Sequence, residues 1–380
     1  MRIVLAIDSF KGSLSSSQAE EAAASGLKAI LGNECPEFVF IPMADGGEGL
    51  LDSLKRSFNA ESVSVRVCNP LMEEIEAEYA VTVSRKSAGV KCALIEMARC
   101  SGLTLIDENR RNPWIATTYG LGQMIAHALE HGCREFIVGI GGSATNDAGT
   151  GMLQALGYKF YEGGRLIEEP MCGGKLACVT SIDASGRHPM LDEASFTIAC
   201  DVKNPFHGPN GAAYVYAPQK GASLAMVKEL DEGLRSFASV AGVKDGQGAG
   251  AAGGLGGGFA TFLSAELRSG AEIVLEESAF YSYVQDCAAV VTGEGKMDSQ
   301  TSNGKLPQCV LRAAHSYGKP VLALCGKLES GAGEAFDLAL QITPEDMPLS
   351  TAMKSGIARG NIINTIVSNG AAILSVLGYR

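Results

Sequence analysis

Five short segments set an acidic residue among hydroxyl, amide and mostly glycine neighbours, and each follows a run of apolar, often branched residues. The first, Asp8-Ser9-Phe10-Lys11-Gly12-Ser13, stands just before a helical pattern. Free N–H groups at a helix start, together with Lys11, favour a phosphate or carboxylate ligand. An ordinary capped helix start has the same composition. The second, Asp45-Gly46-Gly47-Glu48-Gly49, brings two carboxylates around paired glycines. Such a loop suits a hydrated Mg²⁺, which takes few carboxylates and completes its shell with water and phosphate oxygens; it also suits a helix cap.

The third segment runs from Gly139 to Gly149 through Gly141-Gly142-Ser143-Ala144-Thr145-Asn146-Asp147. Its small polar side chains fit a polyhydroxylated acid or a phosphate. Gly139, Gly141 and Ala144 also match a dinucleotide fingerprint, which is weak when it stands alone. In the fourth, Cys200-Asp201-Val202-Lys203-Asn204-Pro205, Asp201 is either a catalytic carboxylate or a turn-forming cap. The fifth, Thr292-Gly293-Glu294-Gly295-Lys296-Met297-Asp298, reads as a turn with two carboxylates and a lysine. Separately, Gly246 to Gly258 is dense in glycine, which reads as a phosphate cradle, a mobile lid or a disordered surface loop.

Several chemistries are excluded. No G-x-x-x-x-G-K-[ST] loop and no G-x-S-x-G elbow occur, and the 5 histidines form no H-E-x-x-H pair. Loops rich in carboxylate and poor in histidine point to Mg²⁺-assisted phosphate chemistry.

Short apolar runs at Arg2–Ile7, 37–41, 288–292 and 321–325 read as buried parallel strands, with helices after the first two and near 307–315. Ser17 and Glu20 are spaced as a capping box for the first helix. Runs at 63–67, 76–83 and 91–97 follow one another without helices, as antiparallel strands do. A helix at 122–131 leads to strands at 136–140 and 196–200, and one long helix spans 361–377. The simplest arrangement is an α/β sheet shared by both chain ends, with the middle inserted as a second domain. The boundaries fall at 1–70 plus 286–380 for the first domain and 71–285 for the second.

The 380 residues carry 42 acidic against 31 basic side chains, a net charge of −11 that repels nucleic acid and anionic lipid. A start that reaches Arg2 and Asp8 so early does not read as a signal peptide, and 11 scattered cysteines without CxxC pairs suit a reducing compartment. The expectation is a cytoplasmic protein with small-molecule partners, no nucleic acid and no membrane, and with an oligomer allowed.

Taken together the segments resemble the type I glycerate kinase family, the bacterial glycerate 2-kinase group, along essentially the whole chain. The resemblance rests on Asp8 to Ser13, Asp45 to Gly49, Gly141 to Asp147, Asn204-Pro205 through Gly208-Pro209-Asn210-Gly211, Pro218-Gln219-Lys220-Gly221, and Thr292 to Gly295 with Asp298-Ser299-Gln300-Thr301. It implies a flavodoxin-like α/β domain made from both chain ends, an inserted α/β domain, and an active site in the cleft between them. ATP and Mg²⁺ would be the partners, and D-glycerate the acceptor, giving 2-phosphoglycerate or, less commonly in the family, 3-phosphoglycerate.

In that scheme a carboxylate takes the hydroxyl proton, Asp201 first and Asp8 second. Lys11, Ser9, Ser13, Gly46, Gly47, Gly141 and Gly142 hold phosphate or carboxylate oxygens, with Asn204 and Lys296 beside them. Ser143, Thr145, Asn146 and Asp147 read the substrate hydroxyls, and Asp45, Glu48, Glu294 and Asp298 contact Mg²⁺. Ala148 stands where the family commonly has glycine, so a left-handed turn there would be strained. Lys296 replaces the usual arginine and loses its planar fork. Two other readings remain beside this one: a dinucleotide-dependent oxidoreductase built on Gly139 to Ala144, and a phosphometabolite sensor without catalysis.

Overall fold

Arg2–Ile7 forms a strand whose Ile3 to Ile7 are all fully shielded from solvent, as expected for a parallel strand covered on both faces. The structure, a computed structural model, describes residues 2–32, 36–41, 43, 51, 54–55, 58, 60–243, 246–298 and 306–378. Two units divide the chain: 1–45 with 271–380, and 46–270. The strand Glu61–Cys68, which the sequence reading assigned to the end-built domain, lies in the inserted unit.

In the end-built unit the first strand pairs in parallel with Glu37–Phe40 on one side and Ala289–Met297 on the other. Val321–Leu328 and Leu338–Gln341 follow outward, both parallel. Counted along the chain, the five strands stand in the order 2-1-3-4-5. That is the flavodoxin-like order, with its switch point between the first and third strands. The fold class expected from the sequence is therefore present.

Helix Ser16–Leu31 covers one face through Ala19, Ala22, Ala23 and Leu27, which cluster with Ile3, Leu5 and Ile7. Helix Ser355–Ser368 joins the same cluster through Ile362 and Ile366. The two helices approach so closely that a methyl on Gly26 would stand 2.9 Å from Cβ of Ile366. The capping box forms two residues earlier than expected: Ser15 is the N-cap, extended at φ −67°, and its reciprocal partner is Gln18. Glu20 is instead buried and accepts from the N–H of Ile7 at 3.5 Å. The long C-terminal helix breaks at Asn369 into Ser355–Ser368 and Gly370–Val376.

The inserted unit holds a six-stranded sheet. Glu266–Arg268, Ser195–Ala199, Cys133–Gly139 and Lys91–Glu96 run parallel, and Glu74–Val83 and Glu61–Cys68 continue it antiparallel. Phe136, Phe196 and Phe259 meet at its centre, the first two stacked with centroids 4.7 Å apart. Residues 248–258 pack within this core, contrary to the lid and disordered-loop readings. A methyl on Gly253 would come 2.2 Å from the Thr145 carbonyl oxygen, and one on Gly258 would come 2.3 Å from that of Ala148. Glycine is used here for close backbone approach. Ala252, Gly253 and Gly254 are all left-handed, at φ 53°, 71° and 89°.

Candidate active site

The end-built unit gathers Asp8, Lys11, Glu294 and Lys296 around one pocket of 220 Å³, with Ser9 and Gly295 also on its wall. Strand pairing accounts for the meeting. Ile7 is the register partner of Gly293, and Asp8 donates its backbone N–H to the Gly293 carbonyl at 3.0 Å. Asp8 and Glu294 therefore leave adjacent positions at the switch point, where open α/β sheets bind ligands beyond the carboxyl ends of their strands. Both carboxylates are mostly buried, at 7% exposure each. Asp8 Oδ1 accepts the N–H of Ser9 at 2.7 Å. Ser16 secures the strand end, donating its hydroxyl to the Ile7 carbonyl and accepting from the N–H of Met43 at 3.0 Å.

Glu294 does not lie in a turn as the sequence suggested. The third strand continues through Gly293-Glu294-Gly295 to Met297, with Glu294 paired to Cys325. The glycines permit it: a methyl on Gly293 would stand 2.2 Å from the Leu324 carbonyl oxygen, and one on Gly326 would stand 2.3 Å from that of Gly295. Burial, with a further push from Glu294, lifts the Cys325 thiol to about 12. Lys296 is paired with Glu329 at 2.7 Å and Asp298 at 3.4 Å, and these two carboxylates raise its pKa. Asp45, Gly46, Gly47 and Glu48 lie outside the described residues. Among the described residues no group of three or more His, Cys, Asp or Glu side chains is placed to hold a metal.

In the inserted unit the loop after Cys133–Gly139 carries Gly141 to Asp147. Leu103 donates to the Gly142 carbonyl at 2.8 Å and Ala144 to that of Ser101 at 3.0 Å, which pins the loop. Ser143, Thr145, Asn146 and Asp147 are all buried. Asp147 faces inward: Oδ2 accepts from the N–H and hydroxyl of Thr118, both at 2.8 Å, and from the N–H of Gly151 at 3.2 Å. Its Oδ1 accepts from the N–H of Gly149 at 3.1 Å. Burial pushes this carboxyl above its ordinary range against the pull of those donors.

Asn146 contrasts with Asp147. Its amide nitrogen and oxygen, and the Thr145 hydroxyl, are buried without a hydrogen-bond partner. Ala148 takes φ 56° despite its side chain, and Gly149 follows at φ 76°. The strained turn that sequence reasoning thought unfavourable is thus adopted, held by the N–H of Ala148 donating to the Gly253 carbonyl at 3.0 Å.

Lys220, of the segment Pro218-Gln219-Lys220-Gly221, is a group of this loop that its sequence surroundings do not reveal. Fully buried, it donates to the Ser143 hydroxyl at 2.7 Å and the Thr145 carbonyl at 2.6 Å. Burial drives its pKa down to about 7, with Asp147 pulling the other way. Asp201, by contrast, is exposed, and its Oδ1 accepts from the Ser269 hydroxyl at 2.7 Å and the N–H of Gly270 at 3.2 Å, where the helix Gly270–Glu277 begins. Asn204 ties its own loop, donating to the Asn210 carbonyl at 2.8 Å and accepting from the Tyr216 hydroxyl at 2.5 Å.

The profile of the glycerate kinase family matches residues 3–369. The chain belongs to the glycerate kinase family. It is 44% identical over 365 residues to a glycerate kinase of Halalkalibacterium halodurans, covering 93% of this chain and 94% of the relative. It is 42% identical over 339 residues to the glycerate 2-kinase of Escherichia coli, covering 88% and 87%. The crystal structure of a protein assigned as glycerate kinase 2 from Salmonella typhimurium LT2 superposes with a TM-score of 0.83 at 36% identity, over 99% of this chain and 98% of that one. Membership in a kinase family sets aside the oxidoreductase reading of Gly139 to Ala144 and makes ATP the co-substrate. Among the described residues no helix is long and apolar enough to cross a membrane.

Proposed function

We propose that this chain transfers the γ-phosphoryl group of ATP to the 2-hydroxyl of D-glycerate, giving 2-phosphoglycerate and ADP in the cytoplasm. The observation that carries the reading is the pair Asp8 and Glu294, two mostly buried carboxylates sharing one pocket with Lys11 at the switch point. The name of the Escherichia coli relative supports the choice of hydroxyl.

Phosphoryl transfer relies on positioning and charge neutralisation more than on covalent help. The glycerate oxygen forms a bond to the γ-phosphorus as the bond to the β–γ bridging oxygen breaks, and ADP leaves with that electron pair. Asp8 accepts the hydroxyl proton. We place it ahead of Asp201 because Asp8 shares its pocket with two lysines, whereas Asp201 is exposed and braces a helix start. Lys11 and Lys296 stabilise phosphate oxygens. Hard carboxylate oxygens at Glu294 suit Mg²⁺, with Asp298, Asp45 and Glu48 as further candidate ligands, which leaves Asp8 to take the proton. When bound, the ion would neutralise charge on the transferring phosphates.

The inserted unit holds polar groups of its own that lack partners. Asn146 and Thr145 offer one amide and one hydroxyl that lack partners, a state buried polar groups rarely keep unless a ligand or water completes them. Asp147 and Lys220 hold that loop rigid from below.

The deciding experiment is coupled-enzyme phosphorylation of D-glycerate with ATP, followed by phosphorus NMR of the product. Phosphorus coupled to the single C2 proton supports the proposal. Coupling to the C3 methylene protons would move the transfer to the other hydroxyl, and no ATP consumption would favour the sensor reading.

A further inference from the structure

Next to the pocket of Asp8 and Glu294 the same unit contains a larger cavity of 560 Å³. Lys11 and Gly295 stand on the walls of both. The larger cavity opens beyond the carboxyl ends of the third, fourth and fifth strands, at Gly295, Leu328 and Gln341. Its volume lies within the range of small-molecule sites, roughly 300–1,000 Å³. We propose that it holds the adenine and ribose of ATP, with Lys11 at the junction where the phosphates turn toward Asp8 and Glu294. This deepens the kinase reading and rests on it.

The wall chemistry suits a purine nucleoside. Phe10, Leu328, Ile342, Met347 and Met353 supply apolar surface. Methionine thioethers are polarizable and adapt to the face of an aromatic ring. Gly12, left-handed at φ 76°, lets the first loop lie against this wall, since a methyl there would stand 2.9 Å from the terminal carbon of Met353.

Polar groups are few and fixed. The Gln341 amide oxygen accepts from the N–H of Leu328 at 3.0 Å, and its nitrogen donates to the Thr343 carbonyl at 2.8 Å, which sets the wall before any ligand arrives. Ser13 lines the cavity with a hydroxyl that is buried and has no hydrogen-bond partner. A ribose hydroxyl or ring nitrogen would satisfy it. An apolar slot with a sparse set of polar groups, opening into a phosphate-handling pocket, matches a nucleotide from base to γ-phosphate.

The test measures binding by calorimetry, so it is independent of turnover. Wild type and Thr343→Trp are titrated with β,γ-imido-ATP, adenosine and inorganic tripolyphosphate. Thr343→Trp places an indole in the cavity and should weaken the ATP analogue and adenosine by about tenfold or more, while tripolyphosphate changes by less than about twofold. Met347→Trp repeats the test from another wall if the first variant unfolds on heating far below wild type. Undiminished adenosine binding in a folded variant overturns the assignment, as does wild-type protein that binds tripolyphosphate as tightly as the ATP analogue. Failure to phosphorylate glycerate with nucleoside binding intact counts against the proposed reaction and leaves the cavity assignment standing.

Discussion

Asp8 hands its backbone N–H to the carbonyl of Gly293 at 3.0 Å, and this single bond brings its carboxylate alongside that of Glu294. One residue comes from the start of the chain and the other from its last quarter. Neither would meet a ligand with its partner unless the first strand lay directly beside the third in the sheet.

Replacing Asp8 with Asn keeps the shape and removes the proton acceptor. We expect kcat for glycerate to fall by about 10²–10⁴-fold, the usual worth of a general base. Asp201→Asn should leave kcat close to the parent and, because its amide oxygen still accepts at the helix start, change stability by less than about 1 kcal/mol. A coupled ADP-release assay on both variants decides; the reverse pattern would return the role to Asp201.

Asn146→Ala removes an amide that is buried without partners, so the fold loses little and sheds a desolvation cost of about 1–3 kcal/mol. The thermal midpoint should hold or rise, while KM for glycerate increases. If stability drops sharply and KM stays unchanged, the amide serves the fold and not the substrate.

Lys220 titrates near 7 when folded, below its ordinary 10.5. Between pH 7 and 9 the unfolded chain therefore holds the extra proton, and stability rises with pH, on the order of 1 kcal/mol per unit. The window ends near pH 9 because buried thiols such as Cys100, lifted to about 12, then act in the opposite direction. Urea midpoints across this range should climb in the wild type. Lys220→Met should flatten that rise, and an unchanged slope in the variant would assign it to other groups.

Gly253→Ala drives a methyl to 2.2 Å from the Thr145 carbonyl oxygen at a left-handed position. Denaturant unfolding should report a loss of about 2–4 kcal/mol or failure to fold. Gly246→Ala meets nothing within 4 Å and should change stability by less than about 1 kcal/mol. Equal, small effects at both positions would restore the flexible-lid reading.

The strands were readable wherever burial on both faces wrote an unbroken apolar run, as at Arg2–Ile7 and Val321–Leu328. The third strand was cut short in the sequence because Gly293 and Gly295 look like turn residues. Both are strand residues, and Gly293 faces a neighbouring backbone that admits no side chain. The same ambiguity hid the packing of 248–258, since close approach and flexibility both call for glycine. At the site, Asp8 after the first strand and Glu294 within the third line one pocket. Asp147 and Lys220 were harder, because nothing local distinguishes a buried brace from a ligand contact or a surface lysine. That difference is made by Thr118 and Ser143, remote in sequence from the residues they engage.

Because Ile3 pairs with Ala289, the first strand of the sheet acquires its second neighbour only after most of the polypeptide has been made. During translation the stretch 46–270 emerges with every strand of its own sheets already present. The opening segment must wait, its apolar edge exposed, until the ribosome delivers the third strand. Assembly of this protein is therefore ordered from the middle outward. A circular permutant that begins near residue 271 would join the separated halves of the parallel sheet and shorten that wait.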